Sequence, residues 1–267
     1  MDRNSLENEY DTFYKVSPYE WDNVDRNMFW ADLAALFLPR ETEVRVLDIG
    51  CGAGKTLEVF SRRFPAWKLH GLDLSGEALK ITQARIPSAS LKKGFVGDAL
   101  YQHKFDFITI LGVLEHIEDI EKGLGQIAAL LEKNGFLCIE VPNCLGYETS
   151  EKHEGFRRLN AGSRQVEWHL LRSTWERHIH NAGFNIYAAV TGFRQNIEFI
   201  WIVGLRPYSF SPDILREIRN MEHRYLKRAQ AVPLSRRLRT ITRWLVGERV
   251  YETIKRLVKG TPPKNGS

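Results

Sequence analysis

Three glycines, Gly50, Gly52 and Gly54, follow directly on the strand-like run Val44 to Ile49 and open a helical stretch from about Gly54 to Phe64. No other segment limits the fold as tightly. Four apolar residues in six, ending at a glycine, read as a buried strand, and the helix behind the turn has to pack back over the sheet. Alternating glycines let the backbone adopt conformations closed to other residues and approach a ligand closely. The N-terminus of the helix then offers its N–H groups to an anionic group. Three ligand-binding or structural readings compete for this turn. A phosphate-binding P-loop needs G-x-x-x-x-G-K-[ST]; Gly54-Lys55-Thr56 supplies its end, but Ile49 stands where the first glycine belongs. A dinucleotide turn needs G-x-G-x-x-G, and here the third glycine comes one residue early. A bare helix cap would give up backbone entropy at three positions without structural need.

Around this turn the chain alternates strand and helix from about residue 44 to 205. Strands are predicted at Val44 to Ile49, Lys68 to Asp73, Leu91 to Val96, Phe105 to Leu111 and Phe136 to Val141, with two more near Phe184 to Val190 and Ile197 to Val203. Helices are predicted behind the glycine turn, from the N-cap Ser75 through Arg85, over Ile117 to Leu131 with Asn134-Gly135 as a stop, and over Ser173 to Asn181 before Gly183. That alternation implies an α/β fold, a parallel sheet covered by helices on both faces. Residues 1–23 read as an ordered arm with scattered aromatics. From Asp25 an amphipathic helix carries Phe29, Leu33, Leu36 and Phe37. Residues 142–172 lack periodicity, and a loop that long in a compact domain usually carries function.

The run Asp48-Ile49-Gly50-Cys51-Gly52-Ala53-Gly54 resembles the first motif of class I S-adenosylmethionine-dependent methyltransferases, and the resemblance continues in order. Gly71-Leu72-Asp73-Leu74-Ser75 closes the second strand with an acid. Gly97-Asp98-Ala99 follows the third, Phe105-Asp106 opens the fourth, and Leu111-Gly112-Val113-Leu114-Glu115-His116-Ile117 follows it. Lys133-Asn134-Gly135-Phe136-Leu137 stands where the family often has a Pro-Gly-Gly turn. The resemblance implies a Rossmann-like seven-stranded sheet of order 3-2-1-4-5-7-6 with one antiparallel strand. It divides the chain into an N-terminal arm and helix (1–40), a cofactor-binding domain (41–205) and a helical extension (206–267). It also implies S-adenosylmethionine as cofactor, held by Asp48, Gly50, Cys51, Gly52, Asp73, Leu74, Asp98, Ala99 and Leu111. Gly50 and Gly52 would pass under its methionine part, Asp73 would accept from the ribose hydroxyls, and Asp98 with Ala99 would meet the adenine. Leu111 to Val113 would lie under the sulfonium.

Methyl transfer needs alignment in a dry site more than it needs a base. A base contributes roughly 10²–10⁴-fold when the acceptor is an unactivated hydroxyl. Two histidines suit the role: His169 in Glu167-Trp168-His169-Leu170, as an acceptor-side residue, and His116 beside Glu115, as a proton acceptor. Glu115, His153 and Glu154 are residues a divalent ion would use, but their spacing is not diagnostic and no metal is assigned. Tyr147, His153, Phe156, Arg157, Arg158, Arg164 and Trp168 are expected in a lid over the acceptor. The expected reaction is methylation of oxygen on a small molecule or glycan intermediate. A quinone or lipid acceptor at a membrane surface is the alternative reaction. A non-catalytic methyltransferase-like subunit that docks a partner is the alternative from another class. No nucleic-acid signature is present: no Asn-Pro-Pro-Tyr type tetrad, no Cys-Pro pair, no zinc cluster.

Charge divides the chain. Residues 1–205 hold 23 Lys+Arg against 28 Asp+Glu, whereas residues 206–267 hold 15 against 5. Two helices are predicted in this basic tail, Pro212 to about Ala231 and Ser235 to about Lys259, separated by Pro233. The second carries an apolar stripe through Leu238, Ile241, Trp244, Leu245, Ile254 and Val258, flanked by arginines and lysines. Such a helix fits an anionic bilayer surface through residues 234–259, or a packing contact such as a homodimer. The last residues, Gly260 to Ser267, read as a disordered end. Three cysteines without a C-x-x-C pair, no 18-residue apolar run and no secretory leader point to a reduced, cytoplasmic protein, peripheral to the inner face of a membrane if the tail binds lipid.

Overall fold

A computed structural model describes residues 3–18, 24–98, 101–142, 155–158, 166–191 and 198–230. The run ahead of the glycines forms β1 (Arg45–Ile49), in which Val46 and Leu47 have no exposed surface. Such complete burial puts β1 in the middle of a sheet. It pairs in parallel with β2 (Lys68–Asp73) on one side and β4 (Phe105–Leu111) on the other. β3 (Ser90–Lys93) lies along β2, and β5 (Leu131–Pro142) runs parallel to β4. β6 (Gly155–Arg158) and β7 (Val166–His169) make a separate antiparallel pair. β8 (Asn185–Thr191) and β9 (Glu198–Gly204) complete the main sheet, with β9 antiparallel to both β5 and β8. The main-sheet order is β3-β2-β1-β4-β5-β9-β8. With the separate pair left uncounted, this is the expected 3-2-1-4-5-7-6 with one reversed strand.

Helices cover both faces. α2 (Val24–Phe37) and α3 (Lys55–Arg63) pack on one, through Phe29, Trp30, Leu33, Leu57 and Phe60. α2 also buries Ala31 and Ala34, so it is apolar nearly all round rather than amphipathic. Its Phe29 and Trp30 contribute roughly 1.5–3 kcal/mol each by full burial. α5 (Ile120–Leu130) and α6 (Arg172–Asn181) cover the other face through Leu124, Ile127, Trp175 and Ile179. α4 (Gly76–Arg85) starts where Ser75 Oγ accepts from Ala78 N, the predicted cap. α1 (Arg3–Val16) forms within the arm. α7 (Pro212–Gln230) follows β9, and Phe210, Ile218, Met221 and Tyr225 are buried in the same cluster as α2.

Two boundaries differ from expectation for stated physical reasons. Asn134-Gly135 does not stop a helix: α5 ends at Leu130, and both residues lie within β5. A side chain at Gly135 would begin 2.9 Å from the Asp106 carbonyl oxygen and 3.0 Å from that of Phe105, so glycine is needed for close passage along β4. β3 ends at Lys93, short of Val96, because Gly94 takes φ +142° and turns the chain away. Residues 1–226 form one compact unit and 227–267 a second. The expected tail helix from Ser235 and the end from Gly260 lie outside the described residues. No helix among the described residues is long and apolar enough to cross a membrane.

Candidate functional site

Parallel strands gather their C-terminal ends on one edge, where loops are free to take a ligand. The glycine turn, Asp73, Asp98 and Gly112 all follow strands there. Gly50, Gly52 and Gly54 have φ of +71°, +52° and +77°, the left-handed region that favours glycine. Gly50 N and Cys51 N both donate to the Leu72 carbonyl, which fixes the turn against β2. A side chain at Gly50 would collide with Val113 Cγ2 at 2.2 Å, and one at Gly52 with Tyr14 Oη at 2.4 Å. The space that glycine leaves is thus filled here by side chains from beyond β4 and from α1.

Asp73 is the hub of this turn. Its carboxylate accepts from Gly52 N and from Ser75 N, each at 2.8 Å. It therefore joins the glycine turn to the start of α4 whatever else it binds. Burial pushes its carboxyl up, against the pull of those N–H groups. Asp48 lies buried behind the turn, where Thr109 Oγ1 donates to it at 2.7 Å. Burial raises that carboxyl to about 7 despite the hydroxyl and Arg26. The Cys51 thiol is buried and raised well above its ordinary value, chiefly by burial and then by Asp73 and Asp48. Leu111 closes β4, half-buried.

Beside the turn is a cleft of about 320 Å³, lined by Leu74, Lys93, Gly94, Phe95 and Asp98 and, from α1, by Arg3, Asn4 and Glu7. Leu74 and Phe95 are its apolar walls, among the charged groups of Arg3, Glu7, Lys93 and Asp98. An apolar wall beside a carboxylate fits an aromatic base with an exocyclic amine, so the residues present suit an adenosyl group. Arg3 Nη1 meets Asp98 Oδ2 at 2.7 Å and lies over the Phe95 ring. Glu7 pairs with Lys93, and Asp11 accepts from Ser75 Oγ at 2.5 Å and Glu77 N at 3.2 Å. Arg3, Glu7 and Asp11 are four residues apart, on one face of α1. By sequence, residues 1–23 read only as an ordered arm; that spacing, with Tyr10 and Tyr14 at the same interval, is the signal that could have placed it at the site. Ala99 lies outside the described residues. A larger hollow, about 440 Å³, opens at the other ends of these strands among Arg45, Trp67, His70 and His103, and none of the motif residues line it.

Past β4 the chain makes a 3-10 turn over Leu114–His116. Glu115 is 5% exposed, and its Oε2 has no hydrogen-bond partner. Burial, then Glu167 and Glu140, hold its carboxyl well above the ordinary range, against Arg26 and its own backbone N–H. Arg26 is bound to Glu140, its Nε donating to the two carboxylate oxygens at 2.7 and 3.0 Å. β7 brings Glu167 and His169 to the same place, with His169 Nε2 3.5 Å from Glu167 Oε1, and Trp168 Nε1 ties the strand to the Ile117 carbonyl. Burial raises Glu167, while His116 lowers it. The Tyr10 phenol is pushed up by burial, then by Asp73 and Glu115. The two predicted histidines thus converge on Glu167, although 53 residues separate them. Arg26, Glu140, Glu167 and Tyr10 were not singled out by sequence. Glu167 was two residues from one that was. The expected lid residues Tyr147, His153 and Arg164, the side chains of Phe156, Arg157 and Arg158, and Glu154, named above with a divalent ion, lie outside what is described. Among the described residues no group of three or more His, Cys, Asp or Glu is placed to hold a metal ion.

A family model described as a methyltransferase domain matches residues 23–189. A ubiquinone biosynthesis O-methyltransferase of Rhodopseudomonas palustris is 26% identical over 65% of this chain and 74% of its own length. A trans-aconitate 2-methyltransferase of Afipia carboxidovorans is 27% identical over 40% of this chain, which spans only 42% of that protein. Among solved structures, an S-adenosylmethionine-dependent methyltransferase from Clostridium acetobutylicum superposes with a TM-score of 0.57 at 17% identity, covering 74% of this chain and 99% of that one. At that identity the likeness is one of fold.

Proposed function

This chain belongs to the methyltransferase-domain family, and we propose that it moves a methyl group from S-adenosylmethionine to an oxygen of a small molecule or glycan intermediate. When bound, the cofactor supplies a methyl carbon on a positively charged sulfur, open to in-line displacement. Gly50, Cys51 and Gly52 with Leu111 would hold its methionine part, Asp73 the ribose, and Leu74, Asp98 and Ala99 the adenine. Asp48 braces the turn from behind through Thr109. The observation that carries the reading is the meeting, on one sheet edge, of this turn and cleft with the Glu115, Glu167 and His169 cluster. His169 lies beside Glu167, which fixes the ring and lets it take a proton from an acceptor hydroxyl. His116 would help hold that proton, since it faces the same carboxylate. Transfer of labelled methyl from S-adenosylmethionine into fractionated cell extract tests the reading directly. His169→Ala should lower turnover at least tenfold with the true acceptor and leave cofactor affinity unchanged. Equal turnover in both proteins would remove His169 from the site.

The acceptor side narrows the substrate. Its described carboxyls are those of Glu115, Glu140 and Glu167, the first and last raised by burial, and Arg26 is already engaged by Glu140. A tricarboxylate, the kind of acceptor named for the Afipia carboxidovorans relative, would find the Arg26 guanidinium there already taken by Glu140. An uncharged hydroxyl is favoured instead. A quinone or lipid acceptor is the second reading, supported by the O-methyltransferase relative and by the basic, amphipathic tail of the sequence. Under it, vesicle co-sedimentation should require anionic lipid, fade with salt and vanish when residues 234–267 are removed. Sedimentation of the truncated chain to the same extent would exclude the tail as an anchor.

A further inference from the structure

Among the described residues, Glu115 is the one acid of this edge whose carboxyl is both almost wholly buried and half-unpartnered. Asp48 has Thr109, Asp73 has two N–H groups and Glu140 has Arg26. Glu115 Oε2 has none. A buried oxygen without a partner is unfavourable, so its position calls for a function. The carboxyl also points somewhere definite. A side chain at Gly112 would begin 3.6 Å from Glu115 Oε1 and 3.7 Å from Arg26 Nη2. Gly112 has φ +69° and ends β4, and the next residue, Val113, faces Gly50 across the turn. Glu115 therefore reaches the strand end on which the donor's sulfur is expected to rest.

We propose that Glu115 is the charge partner of the donor's sulfonium, ionising when the cationic cofactor enters and regaining a proton when the methyl leaves, so that the site prefers the donor to its spent product. The inference rests on the S-adenosylmethionine reading above. The groups that face Glu115 are consistent with it. Arg26 is engaged by Glu140, and the carboxyls of Glu167 and Glu140 disfavour a negative charge on Glu115. His116 and His169 face Glu167. In the absence of an incoming cation these surroundings keep the Glu115 proton on. A sulfonium at Gly112 reverses the balance, and the proton goes to solvent. In the transfer step the sulfur–methyl bond breaks and the acceptor oxygen–methyl bond forms. Sulfur keeps the bonding pair and becomes neutral, the acceptor hydroxyl's proton passes to His169, and Glu115, now facing an uncharged sulfur, takes up a proton from solvent. S-adenosylhomocysteine carries no charge on sulfur, so it leaves Glu115 protonated.

Calorimetric titration of the full chain at pH 7, in phosphate and in Tris, reads protons released on binding because the two buffers differ in ionisation heat. Wild type should release about one proton more on binding S-adenosylmethionine than Glu115→Gln does. S-adenosylhomocysteine should release the same number from both. The variant should bind S-adenosylmethionine about tenfold more weakly and S-adenosylhomocysteine within about twofold of wild type. In wild type alone, the preference for S-adenosylmethionine over S-adenosylhomocysteine should rise about tenfold from pH 6 to pH 7, which covers a variant that fails to fold. Equal proton release by wild type and Glu115→Gln, or a flat preference in wild type, overturns the proposal while leaving the donor reading intact. Binding of neither compound to wild type overturns both.

Discussion

Asp73→Ala should weaken S-adenosylmethionine binding by about 1.5–3 kcal/mol, the range for hydrogen bonds to a charged group. It should also lower thermal stability. From the sequence, a carboxylate at a strand end supports little packing, and the fold would be indifferent to it. The structure says otherwise, since Asp73 takes the N–H groups of Gly52 and Ser75. Alanine leaves two partly buried donors unsatisfied, at roughly 1–3 kcal/mol each. Removing a desolvated acid offsets part of that loss, because burial already opposes its charge. A net fall of about 1.5–2 kcal/mol lowers the melting temperature by roughly 3–8 °C in a domain of this size. Cofactor titration and scanning calorimetry on one preparation separate the two effects. Wild-type affinity in Asp73→Ala would remove it from the ribose site. A melting temperature equal to wild type would remove it from the turn.

The same residue shows where sequence reading stops. Strands β2 and β4 were legible to the residue because buried apolar residues mark each of them, Leu69 and Leu72 in the first and Phe105, Phe107, Ile108 and Ile110 in the second. The Ser75 cap was legible because its partner, Ala78 N, is three residues away. Local chemistry shows in local sequence. Gly135 was misread because its reason is the backbone of β4, about 30 residues earlier. The β6 and β7 pair has four residues per strand, too few for a period of two to stand out. The acid cluster was hidden for a stronger reason. Arg26, Glu115, Glu140 and Glu167 come from four separated segments, and only the sheet order brings them together. The residues proposed for the cofactor were nameable from motifs because they sit in short turns. The acceptor side was not, because it is assembled from strands and helices far apart in the chain.

α1 stands outside the family match yet forms one wall of the cleft, so cofactor release should depend on how this helix is held. Its contacts are unequal. Arg3 and Asp98 are 63% and 42% exposed, and an ion pair so open to water contributes roughly 0–1 kcal/mol. Asp11 is held more firmly, accepting from the buried Ser75 hydroxyl and from Glu77 N at the first turn of α4. Charged-group hydrogen bonds of that kind contribute about 1.5–3 kcal/mol. The helix should therefore pivot on Asp11 and open first at Arg3. If release of S-adenosylmethionine proceeds through the open state, the dissociation rate follows the free energy of lifting the helix. Asp11→Ala should raise that rate by roughly 10- to 100-fold, as 1.5–3 kcal/mol implies. Arg3→Ala should change it by about threefold or less. Stopped-flow displacement by S-adenosylhomocysteine, followed through tryptophan fluorescence, measures both. Equal rates in Asp11→Ala and wild type would mean that the cofactor leaves without moving α1. A larger effect from Arg3→Ala would place the hold on the helix at Asp98 instead.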